Sequence, residues 1–270
     1  MRRQRFDWVI DLQSLARSAA VSWLVNGDFL VGLDEPREGA RGFYDRIVSR
    51  PSEETHAVDW YLAVLDCLGV PRDRAFEWLP ARPAVAAEVR RKWPESQGRW
   101  LVLQPGARWV NKRWPIEYFS ELTRQLSVLY PQLRLAILGG AEECSLGEVL
   151  TRAAPQQCLD LTGRLSLPEM IEWIRLSELM VTNDTGPMHV AAALGKRVVA
   201  LFGPTNPRRT GPYGQVEHVL RVQLPCAPCM KSRCHYSAPF ECLKALTPAT
   251  VLAAVRKGLE NGSCHPLRPV

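Results

Sequence analysis

The sequence predicts an α/β protein with parallel sheets in two domains, on three observations. Short apolar runs alternate with amphipathic stretches of helical period from residue 100 onward, and glycines and prolines punctuate them. The chain has 270 residues, many for one domain and comfortable for two. Strands alternating with helices at this spacing give a parallel sheet covered by helices on both faces. Such a sheet takes ligands at the carboxyl ends of its strands, where the strand order reverses. Chemistry is therefore expected in the loops after the first, second and fourth strands of this region.

The elements follow in order. Trp100 to Gln104 reads as a buried strand, and Pro115 opens a helix whose apolar positions Phe119, Leu122, Leu126 and Leu129 keep a helical period. Leu133 to Leu138 is the second strand, ended by Gly139-Gly140, with a helix from about Ala141. Cys158 to Leu161 is the third, and Ser166-Leu167-Pro168-Glu169 then has the form of a capping box for a helix running to Leu176. Leu179 to Thr182 is the fourth, followed by a helix from near Pro187 that stops at Gly195. Arg197 to Phe202 is the fifth, and Val219 to Val222 is a candidate sixth.

The first 80 residues read as part of a second α/β unit. Trp8 to Leu12 is a strand, Ser14 to Leu24 an amphipathic helix, and Val58 to Leu68 a helix stopped by Gly69. Pro80, Arg82 and Pro83 mark a linker, which divides the chain into 1–82 and 83–270. Too few strand candidates precede the linker for a complete doubly wound domain.

With 46% apolar and 23% charged residues the chain has ample material for a core. No apolar stretch approaches the roughly 20 residues of a membrane helix. Arg2, Arg3 and Arg5 open the chain, but Asp7 and Asp11 follow in place of a signal-type apolar run, so a cytosolic protein is expected. A net charge of +6 suits an anionic partner such as a nucleotide, a phosphorylated lipid or a membrane surface. The basic residues are scattered, with no stripe interleaved with aromatics, so nucleic acid is not expected. Four of eight cysteines cluster as Cys226, Cys229, Cys234 and Cys242, while Cys67, Cys144, Cys158 and Cys264 stand apart. The cluster has two readings, a closed structural zinc site or plain thiols and disulfides, and spacing alone does not choose.

No G-x-G-x-x-G follows a strand and no G-x-x-x-x-G-K-[ST] is present. The strongest signal is Asn183-Asp184-Thr185-Gly186-Pro187-Met188-His189, between an apolar strand and a short alanine-rich helix. Gly186 allows close backbone approach, and the free N–H groups of a helix start favour an anion. The competing reading is that Asp184 or Thr185 simply caps the helix. The second signal is Gln104-Pro105-Gly106-Ala107 followed by Lys112-Arg113-Trp114-Pro115, where a lysine can reach a phosphate or can belong to a solvated basic loop. The third, Phe202-Gly203-Pro204-Thr205, is rich in turn formers and reads by default as structural.

Together these segments resemble the donor-binding half of glycosyltransferase family 9, the bacterial ADP-heptose:lipopolysaccharide heptosyltransferases. The family's P-G-A loop with K-x-W-P, G-x-A/G-x-E segment, D-T/S-G-x-x-H motif and F/Y-G-P-T loop stand here as Pro105-Gly106-Ala107, Lys112-Arg113-Trp114-Pro115, Gly139-Gly140-Ala141-Glu142-Glu143, Asp184 to His189 and Phe202-Gly203-Pro204-Thr205. The match covers residues 100 to 260 and extends more loosely to Phe6 to Gln13. The resemblance implies a GT-B architecture of two Rossmann-like domains with parallel sheets, the N-terminal one incomplete. It implies an inverting transferase that needs no metal or other cofactor for catalysis. The donor would be ADP-heptose, bound by the second domain, and the acceptor the lipid A–Kdo inner core, with peripheral association at the cytoplasmic face of the inner membrane. By position, Gly106 would lie in the donor site and Lys112 would contact the phosphates. Asp184, Thr185, Gly186 and His189 would line the site, and Glu142 or Glu143 would hold the ribose. The family's opening S-L-G-D-type loop, with the aspartate that serves as base, has no counterpart in this sequence. No catalytic base is therefore assigned; Asp11 and Asp34 are local carboxylates only, and a chain that binds donor but transfers sugar poorly is expected. The alternatives are a non-catalytic nucleotide-sugar-binding module and a zinc-dependent interaction protein centred on the cysteines.

Overall fold

The computed structural model describes residues 5–35, 38–73 and 78–260. The chain divides into two compact units, Met1–Phe76 and Glu77–Val270. Residues 78–82, placed before the boundary by the proline pattern, belong with the second unit, where Arg175 Nη2 donates to Leu79 O at 2.8 Å.

The first unit contains β1 (Phe6–Asp11), α1 (Ala16–Leu24), β2 (Gly27–Leu33), β3 (Arg46–Val48) and α2 (Ala57–Cys67). The strands form a parallel sheet in the order β1-β2-β3, with Trp8 opposite Phe29 and Val31 opposite Arg46. Val31, Leu33 and Val48 pack with Trp60 and Val64 of α2, and Trp60 Nε1 donates to Val48 O at 3.0 Å. Strand β1 lies at the sheet edge and exposes Phe6, Trp8 and Ile10. Among the described residues this edge is apolar and pairs with no further strand.

Polar order in this unit centres on Asp11. Its Oδ1 accepts from the backbone N–H groups of Gln13 and Ser14, and its Oδ2 from Ser18 Oγ and Tyr44 Oη, both at 2.7 Å. Burial alone would raise the Asp11 pKa, but these four bonds overcome it and hold the carboxyl below its ordinary value. Burial and the bond to Asp11 push the Tyr44 phenol up to about 12. A methyl group at Gly32 would fall 2.4 Å from the Tyr44 ring, so β2 needs glycine there.

The second unit begins with α3 (Pro83–Lys92), β4 (Arg99–Gln104), α4 (Ile116–Leu129), β5 (Leu133–Ile137), α5 (Cys144–Ala153) and β6 (Cys158–Asp160). It continues with α6 (Leu167–Leu176), β7 (Leu179–Asn183), α7 (Gly186–Ala193), β8 (Arg197–Phe202), α8 (Pro207–Thr210), β9 (Val219–Arg221), α9 (Glu241–Lys244) and α10 (Pro248–Glu260). All six strands are parallel in the order β6-β5-β4-β7-β8-β9. The chain builds outward from β4 in one direction, then returns to β7 and builds in the other. The crevice between the carboxyl ends of β4 and β7 is thus the switch point of a doubly wound sheet.

Side chains alternate along β4, and each set meets its own layer of helices. Leu101 and Leu103 pack with Leu122, Leu126, Val251 and Val255, from α4 and α10. Trp100 and Val102 pack with Trp173 and Met188, from α6 and α7. Trp173 meets Trp100 edge-on at 5.1 Å between centroids. Pro115 precedes α4 with extended backbone in place of opening its first turn, and Gly195 just beyond α7 takes a left-handed φ of 66°. Among the described residues no helix is long and apolar enough to cross a membrane.

The expected capping box forms at α6. Glu169, almost wholly buried, accepts from Ser166 N and Ser166 Oγ, and from Lys92 Nζ of α3 at 2.6 Å. The Lys92 bond and the two serine bonds bring the Glu169 pKa down from its ordinary 4.5 to about 2. A carboxyl whose folded pKa is depressed stabilises fully above its unfolded value, and that stability is lost as pH falls through the folded value. Glu169→Gln should therefore cost about 1 kcal/mol at neutral pH, the scale of a lost helix cap. The gap to wild type in urea melts should stay level above about pH 5 and close between pH 4.5 and 2. A gap independent of pH would contradict the assignment.

Candidate active site

The site is built where three sequence segments are fastened to one another. Asn183, the last residue of β7 and fully buried, donates from Nδ2 to Pro105 O at 2.7 Å and accepts at Oδ1 from Trp114 N at 3.0 Å. It therefore holds both ends of the loop that links β4 to α4. Trp114 is buried beneath that loop, stacked edge-on against Phe119 and donating from Nε1 to Leu246 O at 2.7 Å. The tryptophan of the Lys-Arg-Trp-Pro segment is an anchor. Its burial sets where the two basic residues before it emerge.

Asp184 joins the same loop to a third one. Its Oδ2 accepts from Thr205 Oγ1 at 2.6 Å and pairs with Lys112 Nζ at 2.7 Å, and the residue is only 6% exposed. Lys112 also lies over the face of Trp109, 4.7 Å from the ring centroid. Asp184 is thus engaged away from the helix start, and Thr185, at the N-cap of α7, makes no side-chain cap bond. Simple capping does not explain this pair. Thr205, expected to be a turn residue and no more, is one of the two groups that hold Asp184.

Above this framework a cavity of about 590 Å³ opens at the carboxyl ends of β4, β5 and β7. Its polar wall includes Arg108, Arg113, Glu142, Glu143 and Thr185, and its apolar wall Leu138, Leu165 and Met170. Glu143 is buried, accepting from Gly140 N at 3.0 Å and from Gln104 Nε2 at 3.4 Å. Glu142 is exposed at the mouth. A methyl group at Gly106 would fall 1.5 Å from Glu143 Oε1, so the glycine of the Pro-Gly-Ala loop makes room for this carboxylate.

Of the residues expected to line the donor site, Thr185, Glu142 and Glu143 face the cavity. Lys112 and Asp184 are brought together, but to each other, behind its wall. His189 is exposed in the first turns of α7 and off the lining. Gly186 is exposed, has no left-handed backbone, and has nothing within 4 Å of where a Cβ would stand. No neighbour among the described residues requires glycine there, which fits a position kept open for a ligand. Arg108, Arg113 and the apolar wall were not assigned from sequence. Arg113 stands within a quoted motif, but nothing in a Lys-Arg pair says which cation turns inward.

The cysteine cluster touches the same framework. Cys226, Cys229, Cys234 and Cys242 line one cavity of about 140 Å³ beside Pro204 and Asn111. Met230 N donates to Pro204 O at 2.8 Å, and Asn111 Nδ2 to Lys231 O at 2.8 Å. All four are free thiols, which removes the disulfide reading, and Cys264 lies outside the described residues, as do Arg2 and Arg3. Burial, with the three neighbouring cysteines, pushes the Cys242 thiol up to about 11. Among the described residues no three of His, Cys, Asp or Glu stand close enough together to hold a metal ion. The zinc reading, one of the two that the spacing left open, does not fit this arrangement of the described residues.

Comparison with known proteins agrees with the motifs. Residues 1–238 match glycosyltransferase family 9 (heptosyltransferase). Lipopolysaccharide heptosyltransferase 1 of Pseudomonas aeruginosa strain PAO1 is 32% identical over 234 residues, 86% of this chain and 64% of that protein. Lipopolysaccharide heptosyltransferase 2 of Escherichia coli K12 is 36% identical over 123 residues, 44% of this chain and 35% of that one. This chain thus spans less than two thirds of the length of these relatives. Among solved structures, E. coli ADP-heptose lps heptosyltransferase II superposes with a TM-score of 0.72 at 23% identity, covering 96% of this chain and 78% of that one. E. coli heptosyltransferase WaaC with ADP gives 0.69 at 25%, covering 95% and 74%. The parallel α/β fold is the one these GT-B enzymes share, as the motifs implied. The chain belongs to glycosyltransferase family 9, the heptosyltransferases.

Proposed function

We propose that this chain serves heptosyl transfer from ADP-heptose to the lipopolysaccharide inner core, with the donor seated in the 590 Å³ cavity of the second unit. The observation that carries this reading is the place of the cavity, at the switch point between β4 and β7, walled in part by three of the segments that resemble the family's motifs. The relative solved with ADP and the one named for ADP-heptose support the choice of donor. The nucleotide would lie with its diphosphate toward Thr185, Gly186 and the start of α7, where unpaired N–H groups favour an anion. Glu143, fixed by Gly140 and Gln104, or Glu142 at the mouth would accept from the ribose hydroxyls. His189 would meet the sugar end. An acceptor hydroxyl of the lipid A–Kdo core attacks the anomeric carbon as its proton passes to water, the bond to the diphosphate oxygen breaks, and donors fixed around the diphosphate stabilise the departing ADP. The chemistry needs no metal, and the cysteines enter as a thiol brace for the Gly203–Thr205 loop. A cytoplasmic protein working at the inner-membrane face suits a lipid-borne acceptor, and a charge of +6 suits that anionic surface.

A second reading, a nucleotide-sugar-binding module without transfer, is favoured by the first unit. The Asp11 carboxylate is taken up by four donors, and Asp34 is paired with Arg41 and bonded by Ser49. Both carboxylates are thus engaged within the unit, and a general base is typically worth about 10²–10⁴-fold. Incubation with ADP-heptose and a Kdo-bearing acceptor separates the readings. Transfer with release of ADP is the result the proposal requires, and tight ADP binding with no turnover would establish the module.

The polar node makes its own prediction. Lys112→Ala and Asp184→Ala should each weaken ADP binding about tenfold, and the double variant should bind no worse than the weaker single one. Contacting residues in one network are non-additive by about 0.5–3 kcal/mol. Strict additivity in calorimetry would mean that the two act separately, with Lys112 alone on the phosphates.

A further inference from the structure

A second large cavity, of about 510 Å³, lies at the other end of the strands, among the amino ends of β4, β7 and β8. Its charged lining is Arg99, Lys196 and Arg197 against one carboxylate, Glu178. That carboxylate is already engaged, accepting from Arg99 Nε at 2.7 Å and from Arg99 Nη2 at 2.9 Å. Lys196 and Arg197 are left as neighbouring cations with no carboxylate in the lining to offset them.

The ordinary reason for cations at such a place is the end of a helix, whose open carbonyls attract them. It accounts for Arg197, whose Nη1 donates to Gly258 O of α10 at 2.6 Å. It does not account for Lys196. At the end of α7, Gly195 is left-handed, its N–H donates to Ala192 O, and Lys196 N donates to Ala191 O, both at 2.9 Å. The backbone thus closes that helix by itself. The Lys196 ammonium makes no ion pair or hydrogen bond among the described residues. Lys196 is half-buried, and burial, with Arg175 nearby, holds it below its ordinary pKa against the pull of Glu178 and Glu172. Arg197 is incompletely satisfied as well, since its buried Nε has no partner among the described residues.

We propose that this cavity is a second anion site, which takes a phosphate group bearing two or more negative charges between Lys196 and Arg197. The class follows from the pair. A guanidinium presents donors in a fixed plane and an ammonium presents donors that rotate, and a tetrahedral phosphate accepts from both. The surplus in the lining is two positive charges, which a dianion cancels and a monoanion does not. The donor cavity stands at the carboxyl ends of β4 and β7, so the two sites fill independently.

Inorganic pyrophosphate is the probe, titrated by calorimetry into the full chain in saturating ADP. The expected result is about one equivalent bound, weakened about tenfold in Lys196→Ala and largely recovered in Lys196→Arg. Lys196→Ala breaks no bond among the described residues, so its melting temperature and its ADP affinity should equal those of wild type. Binding that ADP abolishes, or affinity unchanged in Lys196→Ala, would overturn the proposal. So would a heat that sodium chloride at equal ionic strength reproduces. A parallel loss of ADP affinity in Lys196→Ala would overturn it too, because both anions would then share one site. Vesicles of phosphatidylcholine and phosphatidic acid distinguish the sources of the phosphate. Retention of wild type but not of Lys196→Ala assigns a lipid headgroup, and pyrophosphate binding without retention assigns a soluble phosphate.

Discussion

The buried carboxylate of Asp184 is the constraint on which the rest of the site depends. It follows β7, and its two partners come from the loops after β4 and β8. Three loops at the carboxyl edge of the sheet are therefore tied at one oxygen. A buried charge is tolerated only when paired and hydrogen-bonded, so Lys112 and Thr205 are required by Asp184 before any ligand is considered. Asn183 beside it does the same for the backbone, fastening Pro105 and Trp114. What these two neighbours accomplish is rigidity in loops that would otherwise be free to move. A site that discriminates a phosphate by geometry needs that rigidity, since orientation is a large part of what a transferase supplies.

The same tie reaches outward to the cysteines. Met230 and Asn111 link the segment holding Cys226 and Cys229 to the Pro204 and Lys112 loops, and Cys242 Sγ lies 2.8 Å from where a methyl on Gly203 would be. The thiols thus pack against the loop that presents Thr205.

Much of this was legible in the sequence, for physical reasons. Strands such as Arg197–Phe202 are buried on both faces, so they read as unbroken apolar runs, and α4 keeps one apolar face in register. The Asp-Thr-Gly segment could be placed because it joins such a strand to a helix. Roles were less legible than places. Whether Lys112 or Arg113 faces the crevice depends on the burial of Trp114, which is a tertiary event. Thr205 acquires its role because β8 lies next to β7, and Gly106 acquires its own because Glu143 folds across from another loop. Strand β2 was missed: its Gly-Asp-Phe-Leu-Val-Gly-Leu opens on one glycine and carries another next to its last residue, and Gly32 is explained only by the Tyr44 ring against it. The cysteine spacing left a metal and plain thiols both open, and the packing places four thiols around a small cavity without ligating geometry among the described residues.

The central claim is that donor recognition lies in the loops gathered by Asp184, and it can be read directly by hydrogen–deuterium exchange with and without ADP. The account predicts slower exchange on adding ADP in residues 105–114, 139–143, 165–170 and 184–187, with little change across β1, β2 and β3. Protection confined to the first unit, or absent from the Asp184 loops, would contradict it.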